Sequence, residues 1–229
     1  MSRFRLVDCQ LQAIRKCKKR AYLYRILETL PKDLHEQYTR ELANISEASS
    51  RDALKLLQWL TFPQRKLRFE EAVDMIAVDI EHDPPFFDED SKLNSPDLVM
   101  EIVGSLVRTD INPEGRNSLG EVAKVQTLTV AHATVSDYLK TQSIKIGPEP
   151  EVRFTKSAIN LQMAETCLAY LRYFMDKDIE LCEDHLKDYP FARLCAEFWD
   201  DHYREILANP EEEVDVTRLD DMIMELFDS

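Results

Sequence analysis

Glycine is almost absent from this chain, and its scarcity excludes several nucleotide-binding folds. The 229 residues contain only four glycines, at positions 104, 115, 120 and 147. Loops that cradle phosphates need closely spaced glycines, because only glycine lets the backbone approach the phosphate oxygens. Neither G-x-x-x-x-G-K-[ST] nor G-x-G-x-x-G occurs in the sequence. Any nucleotide chemistry would therefore need residues from outside this chain.

The length and apolar content predict an ordinary globular protein. A chain of 229 residues with 44% hydrophobic and 31% charged residues can bury one large core or two modest ones. Its apolar runs are too short for a transmembrane helix, which needs about 18 consecutive residues. The N-terminus lacks the apolar stretch of a secretory signal. We therefore expect a cytoplasmic protein that does not insert into a membrane.

The cysteines predict reduced thiols and no zinc site. They are odd in number and scattered, and no C-x-x-C pair occurs. Structural zinc sites need Cys and His ligands at short, regular spacings, which are missing here. This usage is typical of the reducing cytosol. The five are Cys9, Cys17, Cys167, Cys182 and Cys195.

Charge is distributed unevenly along the chain. Residues 1–49 carry 10 basic and 6 acidic side chains, whereas residues 146–229 carry 8 and 21, and the whole chain has a net charge of −14. Nucleic-acid binding needs a basic face, so it is not expected to be the main function. The basic run at 15–20 could contact an anion, but a solvated helix face is the favoured interpretation.

Hydrophobic periodicity divides the chain into three predicted parts. Residues 1–49 read as two helices, the second opened by Pro31 and burying one face. Residues 46–50 read as a loop and boundary, with Ser49 or Ser50 capping the next helix. Residues 50–145 form the second predicted domain. Residues 146–229 form an acidic helical arm that ends in a short amphipathic segment.

The middle part has the element order of a winged helix-turn-helix. Its predicted sequence is helix 51–61, a short extended piece, helix 70–78, an acidic loop at 81–97 and helix 97–106, with Leu98, Ile102 and Leu106 directed inward. A hairpin then follows, with turn chemistry at 112–115 and an alternating strand at 123–130. A final helix covers 133–140. The predicted fold class is therefore mainly α, with a winged helix whose small β-hairpin is the wing, flanked by N-terminal helices and a C-terminal arm.

Nearly the whole chain resembles one family, the fungal NACHT-type signalling NTPases of the STAND class, which are NLR-like. The similar segment in those proteins lies downstream of the NTPase core. The resemblance implies that residues 1–49 are the helical end of the NTPase module, residues 50–145 the winged-helix domain and residues 146–229 the helical arm. The resemblance rests on short stretches in the same order: 4–17 (FRLVDCQLQAIRKC), 30–38 (LPKDLHEQY), 57–62 (LQWLTF), 67–72 (LRFEEA), Phe87-Asp88, Ser105-Leu-Val107, 130–139 (VAHATVSDYL), 167–171 (CLAYL) and 188–192 (DYPFA) with Trp199.

The resemblance assigns a role to His132, the residue between the last predicted strand and helix. It matches the histidine of the Met-His-Asp-type motif, which in the wider superfamily contacts the β-phosphate of bound ADP and holds the closed state. Positions 131 and 133 are both alanine here, where that motif has Met and Asp. A helix N-terminus favours anions, which agrees with such a role. The alternative is that His132 only hydrogen-bonds within its own domain.

Other polar residues are expected to have structural roles. Asp137 and Tyr138 are close enough in sequence to suggest a catalytic dyad with His132, but Asp137 should point to another helix face. The pairs Glu70-Glu71 and Glu89-Asp90 are expected to be solvated. His82 and Asp83 have no partner ligands at useful spacing, His185 and His202 flank the acidic arm, and Asp184-His185 is the one weak metal candidate. Since no nucleophile, base and orienting group can be assembled, we expect no enzyme activity and name no catalytic or metal residue.

Three functions remain open at this stage. The leading one is a non-catalytic regulatory segment that restrains an NTPase module, present in cis or in trans, and connects it to a repeat or sensor domain. The chain alone would bind no cofactor, whereas ADP or ATP would bind in the full-length context. The second is a free-standing adaptor that binds a protein through its helical arm, and exposed apolar faces at 1–49 could instead drive homo-oligomerisation. The third is a DNA-binding winged helix, which the acidic third helix disfavours.

Overall fold

The computed structural model describes residues 32–116, 122–141, 143–180, 182, 185–210 and 212–228, together with positions 6, 7, 10, 11, 14 and 15. Those six early positions have helical backbone. The rest of the helix predicted for 3–28, and the basic run after Arg15, lie outside the described residues. In the part described, no helix is long and apolar enough to cross a membrane.

The molecule is mainly helical, with three small antiparallel sheets. Its helices are α1 (Leu34–Ala43), α2 (Glu47–Thr61), α3 (Phe69–Ile76), α4 (Leu98–Val103), α5 (Ala133–Thr141), α6 (Lys156–Asp176), α7 (His185–Asp188), α8 (Phe191–Leu207) and α9 (Thr217–Asp228). Its strands are β1 (Leu67–Arg68), β2 (Val78–Asp79), β3 (Phe86–Phe87), β4 (Val107–Arg116), β5 (Val122–Val130), β6 (Ser143–Ile144) and β7 (Val152–Arg153).

The largest sheet has the strand order β1-β5-β4. The long hairpin of β4 and β5 is antiparallel, and β1 adds to its free side with Leu67 opposite Leu128. Both leucines are buried, because they close the sheet over α2 and α3. From α2 to α5 the order is therefore helix, strand, helix, two short strands, helix, two long strands and helix. The other sheets pair β2 with β3 and β6 with β7.

Helix α6 is the centre of the C-terminal part. It has 21 residues and packs against α8, α9, α2 and β3. Helical periodicity predicts an inward set of six residues, of which Leu171 is only half-buried and the other five, Met163, Cys167, Leu168, Tyr170 and Phe174, are buried. A single cluster of buried residues extends from Tyr38 in α1 to Met222 in α9. The domain boundaries at 49 and 145 stay predictions, since the core is continuous across both.

Several local predictions were wrong at element boundaries. Helix α2 begins at Glu47, so residues 46–50 are not a loop. Ser50 does not cap it, since its side chain is buried and donates to the backbone carbonyl of Glu47 and to Glu149. Ser46 occupies the capping position instead. Helix α3 ends at Ile76, because Val78 pairs with Phe87 in the two-stranded sheet.

The helix predicted for 97–106 is shorter than expected and buries a different face. It ends at Val103, because Gly104 adopts a positive φ of 54° that stops an α-helix. Val99 and Val103 are buried, rather than the predicted Leu98 and Ile102, whereas Leu106 is buried as expected. The acidic loop at 81–97 also contains β3 and a short 3-10 turn.

The turn predicted for 112–115 lies inside strand β4. A register shift between Pro113 and Arg116 interrupts the pairing without ending the strand. Proline is tolerated because β4 is the edge of its sheet, so that no ladder hydrogen bond is lost on the outer side. The tip of the hairpin, where we expected the turn to continue, lies outside the described residues.

Candidate functional site at the junction of β5 and α5

The site surrounds His132, which lies between the end of β5 and the start of α5. Strand β5 is fixed at this end by the backbone N–H of Ala131, which donates to the carbonyl of Leu106 at 2.9 Å. The carbonyl of His132 accepts the N–H of Val135 at 2.9 Å, which starts the first turn of α5. Val135 is fully buried, so the core fixes where this helix begins. The imidazole is half-buried at the first turn.

The Nδ1 atom of His132 is used inside the domain. The backbone N–H of Thr134 donates to it at 3.2 Å, and the Thr134 hydroxyl lies 2.9 Å from it. A backbone N–H can only donate, so Nδ1 must be an acceptor and the ring proton lies on Nε2. The side chain therefore caps α5 in the way that Asn or Asp caps other helices. Within the described part of the chain, Nε2 makes no hydrogen bond.

Two hydroxyl contacts tie α5 to α1. Tyr38 is buried, and its hydroxyl lies 2.7 Å from the Thr134 hydroxyl that faces His132. One residue further along α1, Thr39 lies 2.9 Å from the hydroxyl of Tyr138. The ring of Tyr138 also meets the ring of His35 edge-on, with the centroids 4.9 Å apart. The position of α1 is therefore connected to His132 through a chain of two hydrogen bonds.

The arrangement supplies one donor at the N-terminus of a nine-residue helix. The helix dipole and the first free N–H groups of α5 favour a negative charge at this end. The Nε2–H of His132 can add one directed hydrogen bond to such an anion. The site contains no second titratable group in contact with the imidazole among the described residues, so it offers a contact and not proton-transfer machinery.

The structure does not form the catalytic dyad that the sequence suggested. Asp137 is exposed, and the only bond recorded for it is through its carbonyl to Thr141. Tyr138 is buried and directs its hydroxyl to Thr39 instead of His132. Both residues therefore have the structural roles that were favoured over catalysis.

The prediction that Glu71 is solvated was wrong. Its side chain is 0% exposed, and Arg65 donates to both of its oxygens, at 2.5 and 2.9 Å. The backbone N–H of Arg68 also donates to it at 2.8 Å, which caps the start of α3. Burial is possible because both carboxylate oxygens have donors and the charge is paired with Arg65. Glu70, by contrast, is exposed.

Glu89 is exposed, but it is held by two tyrosines. Tyr173 donates to one oxygen at 2.5 Å and Tyr189 to the other at 2.9 Å. The hydrogen bond from Tyr173 is the main reason that the pKa of this carboxyl lies below its usual value. Asp90 is exposed, as expected. Glu89 therefore connects the acidic loop to the helical arm.

The other histidines are engaged within the protein. The Nδ1 of His82 lies 2.9 Å from the carbonyl of Pro84, and the Nδ1 of His185 contacts the carbonyl of Glu180. His202 is buried, with its Nδ1 2.7 Å from Asn160 and its ring edge-on to Trp59. No group of three metal-ligating side chains occurs among the described residues, and Asp184 lies outside them.

Sequence reasoning missed the hydroxyl network around His132. Tyr38 was placed on an inward face by its spacing, but nothing in the sequence paired it with Thr134, 96 positions away. The contact between Thr134 and His132 could have been predicted from the sequence. If His132 is the N-terminal cap, Thr134 is the second residue of the helix, and its backbone N–H has no partner within the helix.

Comparisons with known proteins give one relative of low identity. A protein of Monascus ruber, described as azaphilone pigments biosynthesis cluster protein L, is 29% identical over 177 residues, which are 77% of this chain and 36% of that protein. The chain thus spans little more than a third of its relative. No family model matches the chain, and no solved structure matches it.

Proposed function

We propose that this chain is a non-catalytic regulatory and interaction segment of a cytoplasmic, nucleotide-switched signalling protein of the NACHT type. In this proposal residues 50–145 are a winged helix that restrains an NTPase module. His132 donates a hydrogen bond to the β-phosphate of ADP held by that module. The helical arm connects the switch to a sensor or repeat domain.

The observation that carries the proposal is the orientation of His132. One ring nitrogen caps α5, which leaves the Nε2–H available at a helix N-terminus. A neutral imidazole that accepts at Nδ1 carries its proton on Nε2, so the capping contact directs a donor to this position. Three helices, α2, α3 and α4, followed by the β4–β5 hairpin add support, since this order is typical of a winged helix with the hairpin as its wing, and the short β2–β3 pair is an insertion between α3 and α4.

The relative is compatible with a segment of a larger protein. The matched region makes up 36% of the Monascus ruber protein. Its printed name refers to a biosynthesis cluster and states no reaction, so it argues neither for nor against catalysis by this chain.

The switch would work through a contact made in only one of two states. A ligand or contact shifts an equilibrium only by the difference between its interactions with the two states. A hydrogen bond to a charged phosphate contributes about 1.5–3 kcal/mol, which corresponds to a shift of roughly 10- to 150-fold toward the closed state. The Tyr38–Thr134 bond would pass movement at α1 to the imidazole.

Two measurements test the proposal. The complete transcript, or a co-purifying partner chain, should encode a G-x-x-x-x-G-K-[ST] loop. Titration calorimetry of ADP and ATP into this chain alone should show no binding, because the phosphate loop is absent from it. A complete transcript without such a loop and without such a partner would overturn the proposal. So would ADP binding by the isolated chain that His132→Ala abolishes.

An adaptor that binds a protein through its arm is the second candidate. It is favoured by Met224 and Phe227, which are 60% and 70% exposed on α9. If the chain binds a protein partner through its arm, Phe227→Ala should abolish capture of that partner, and His132→Ala should leave capture unaffected. Nucleic-acid binding has less support, because α4, the recognition helix of a winged helix, is flanked by Asp97 and carries Glu101.

A further inference from the structure

A cleft lies between the helix-and-sheet part and the helical arm, on a different face of α2 from the core. Its volume is about 680 Å³, which is within the range of natural small-molecule sites. It is bordered by α2, by the segment from α3 to β3, by α6 and by the start of α9. Part of its wall is apolar and includes Leu54, Ile76, Val78, Ile80 and Phe86.

The charged residues of the cleft are predominantly acidic. Six carboxylates face three cationic groups, which leaves a formal excess of three negative charges. Such a lining repels phosphates and carboxylates and attracts cations. The charged residues are Asp52, Asp79, Glu81, Asp88, Glu149 and Glu165 with Arg51, Lys55 and Arg218.

Two of the cations are occupied by ion pairs. Arg218 donates to both oxygens of the buried Glu165, at 2.9 and 2.5 Å, and to the carbonyl of Ile80 at 3.0 Å. Arg51 is 2.9 Å from Glu81 and 3.8 Å from Glu149. These contacts connect α9 and α2 to the segments around the cleft. Because both guanidinium groups are already paired with carboxylates, neither is a favourable site for an added anion.

The third cation, Lys55, is directed at the backbone. Its Nζ donates to the carbonyls of Ile76 at 3.0 Å and Val78 at 2.6 Å. Desolvation lowers its pKa, and nearby Asp52 acts in the opposite direction. Through these two hydrogen bonds, Lys55 on α2 holds the C-terminal end of α3 in place.

Asp79 and Asp88 have local donors. Asp79 accepts the N–H groups of Glu81 and His82, at 2.9 and 3.3 Å. Asp88 accepts the N–H of Asp90 and the hydroxyl of Ser91. Both carboxylates are therefore satisfied by hydrogen bonds, although their charges still add to the field in the cleft.

Asp52 is different, because its carboxylate has no hydrogen bond or ion pair among the described residues. It lies half-buried on α2, one turn before Lys55, and lines the cleft. Burial raises its pKa, and the charge of Lys55 offsets this only in part. A half-buried carboxylate without a donor of its own is stabilised by a cation that reaches it from the cleft.

We propose that the cleft binds a compact organic ammonium ion, whose charge pairs with Asp52 and whose apolar body lies against Ile80 and Phe86. Because α2, α3, α6 and α9 all border the cleft, the bound cation would hold the arm against the winged-helix part. This inference does not depend on a nucleotide at His132, since the two sites share no residue.

The test compares three probes that share a phenyl ring and a two-carbon chain: the cation phenethylamine, the neutral phenethyl alcohol and the anion phenylacetate. Each is titrated into the full chain by calorimetry at neutral pH and low salt. We expect millimolar binding of phenethylamine, as for other ligands of this size, and no binding of the neutral or anionic probe. Asp52→Asn should weaken phenethylamine by about 5- to 10-fold, as expected for a partly buried ion pair. Glu101→Gln, on an exposed face of α4 outside the cleft, should change nothing.

Misfolding can be separated from loss of the site. The raised pKa of Asp52 shows that the ionised form costs stability, so Asp52→Asn should unfold at the same temperature as the wild type or higher. Equal binding of the three probes, phenethylamine binding unchanged in Asp52→Asn, or no phenethylamine binding at all would each overturn the proposal.

Discussion

The Nδ1 of His132 accepts the backbone N–H of Thr134 at 3.2 Å, so that this histidine is the N-terminal cap of α5. The two ring nitrogens thereby acquire separate tasks. Nδ1 stabilises the helix, and Nε2 keeps the proton that a phosphate would accept. A structural role and a ligand role, which were alternatives at the level of sequence, are compatible in one side chain.

Removing the cap should destabilise the protein measurably. We expect His132→Ala to lower the free energy of unfolding by about 1 kcal/mol, because the Thr134 N–H loses its acceptor. Asn at this position can still accept that N–H through its side-chain oxygen, so His132→Asn should keep most of the stability. Urea denaturation of the three proteins measures this. Equal loss in both variants would contradict the capping role.

The hydroxyl of a buried tyrosine in α6 should contribute more to stability than that of a half-buried neighbour. Tyr170 donates to the buried carboxylate of Asp74 at 2.5 Å, and Lys92 binds the other oxygen at 2.9 Å. Tyr170→Phe should cost about 2 kcal/mol, because the desolvated carboxylate loses a donor. Tyr173→Phe, the same change on the same helix toward exposed Glu89, should cost less than about 0.5 kcal/mol. Thermal unfolding in parallel would show whether the two variants differ as expected.

The acidic pair at the start of α3 should show the same contrast. Glu71→Gln keeps the shape of the side chain but removes the charge that Arg65 binds, so we expect a loss of about 2 kcal/mol. Glu70→Gln changes an exposed side chain and should be nearly neutral, within about 0.5 kcal/mol. Chemical denaturation decides between this account and the solvated pair that the sequence suggested, for which both variants would be equal.

His202 should make the protein sensitive to mild acid. Desolvation lowers its pKa to about 4 in the folded state, whereas the unfolded chain has a value near 6.5. Between these two values the unfolded state binds more protons, so stability is complete above about 6.5 and falls as the pH decreases toward about 4. The loss should approach about 3 kcal/mol.

A matched variant isolates that contribution from the many carboxylates. His202→Gln retains a polar partner for Asn160 but does not titrate. The difference in unfolding free energy between wild type and His202→Gln should therefore change across this pH range in the direction of wild-type destabilisation in acid. A difference independent of pH would show that His202 does not titrate as described.

The sequence predicted the long elements well and the local polar contacts poorly. The apolar spacing of α6, from Met163 to Phe174, matched its buried face, because a long helix in a core must repeat every 3.6 residues. Helix α4 has only six residues, so its face could not be fixed by periodicity, and Val99 and Val103 were missed.

The residues that were misjudged are those whose partners are distant in the chain. Ser50 is buried because Glu149, 99 positions away, accepts its hydroxyl. The carboxylate of Glu71 is buried because Arg65 and the N–H of Arg68 reach it. Such burial depends on tertiary neighbours, and a single sequence does not contain them.

The most direct test of the account is the rate of ADP release from a protein that carries this segment together with its NTPase module. We expect His132→Ala and His132→Asn both to release ADP about 10- to 100-fold faster than wild type, because each removes the Nε2 donor. His82→Ala, which removes an exposed loop histidine, should release ADP at the wild-type rate. Wild-type release rates in both His132 variants would contradict the account and leave His132 as a helix cap alone.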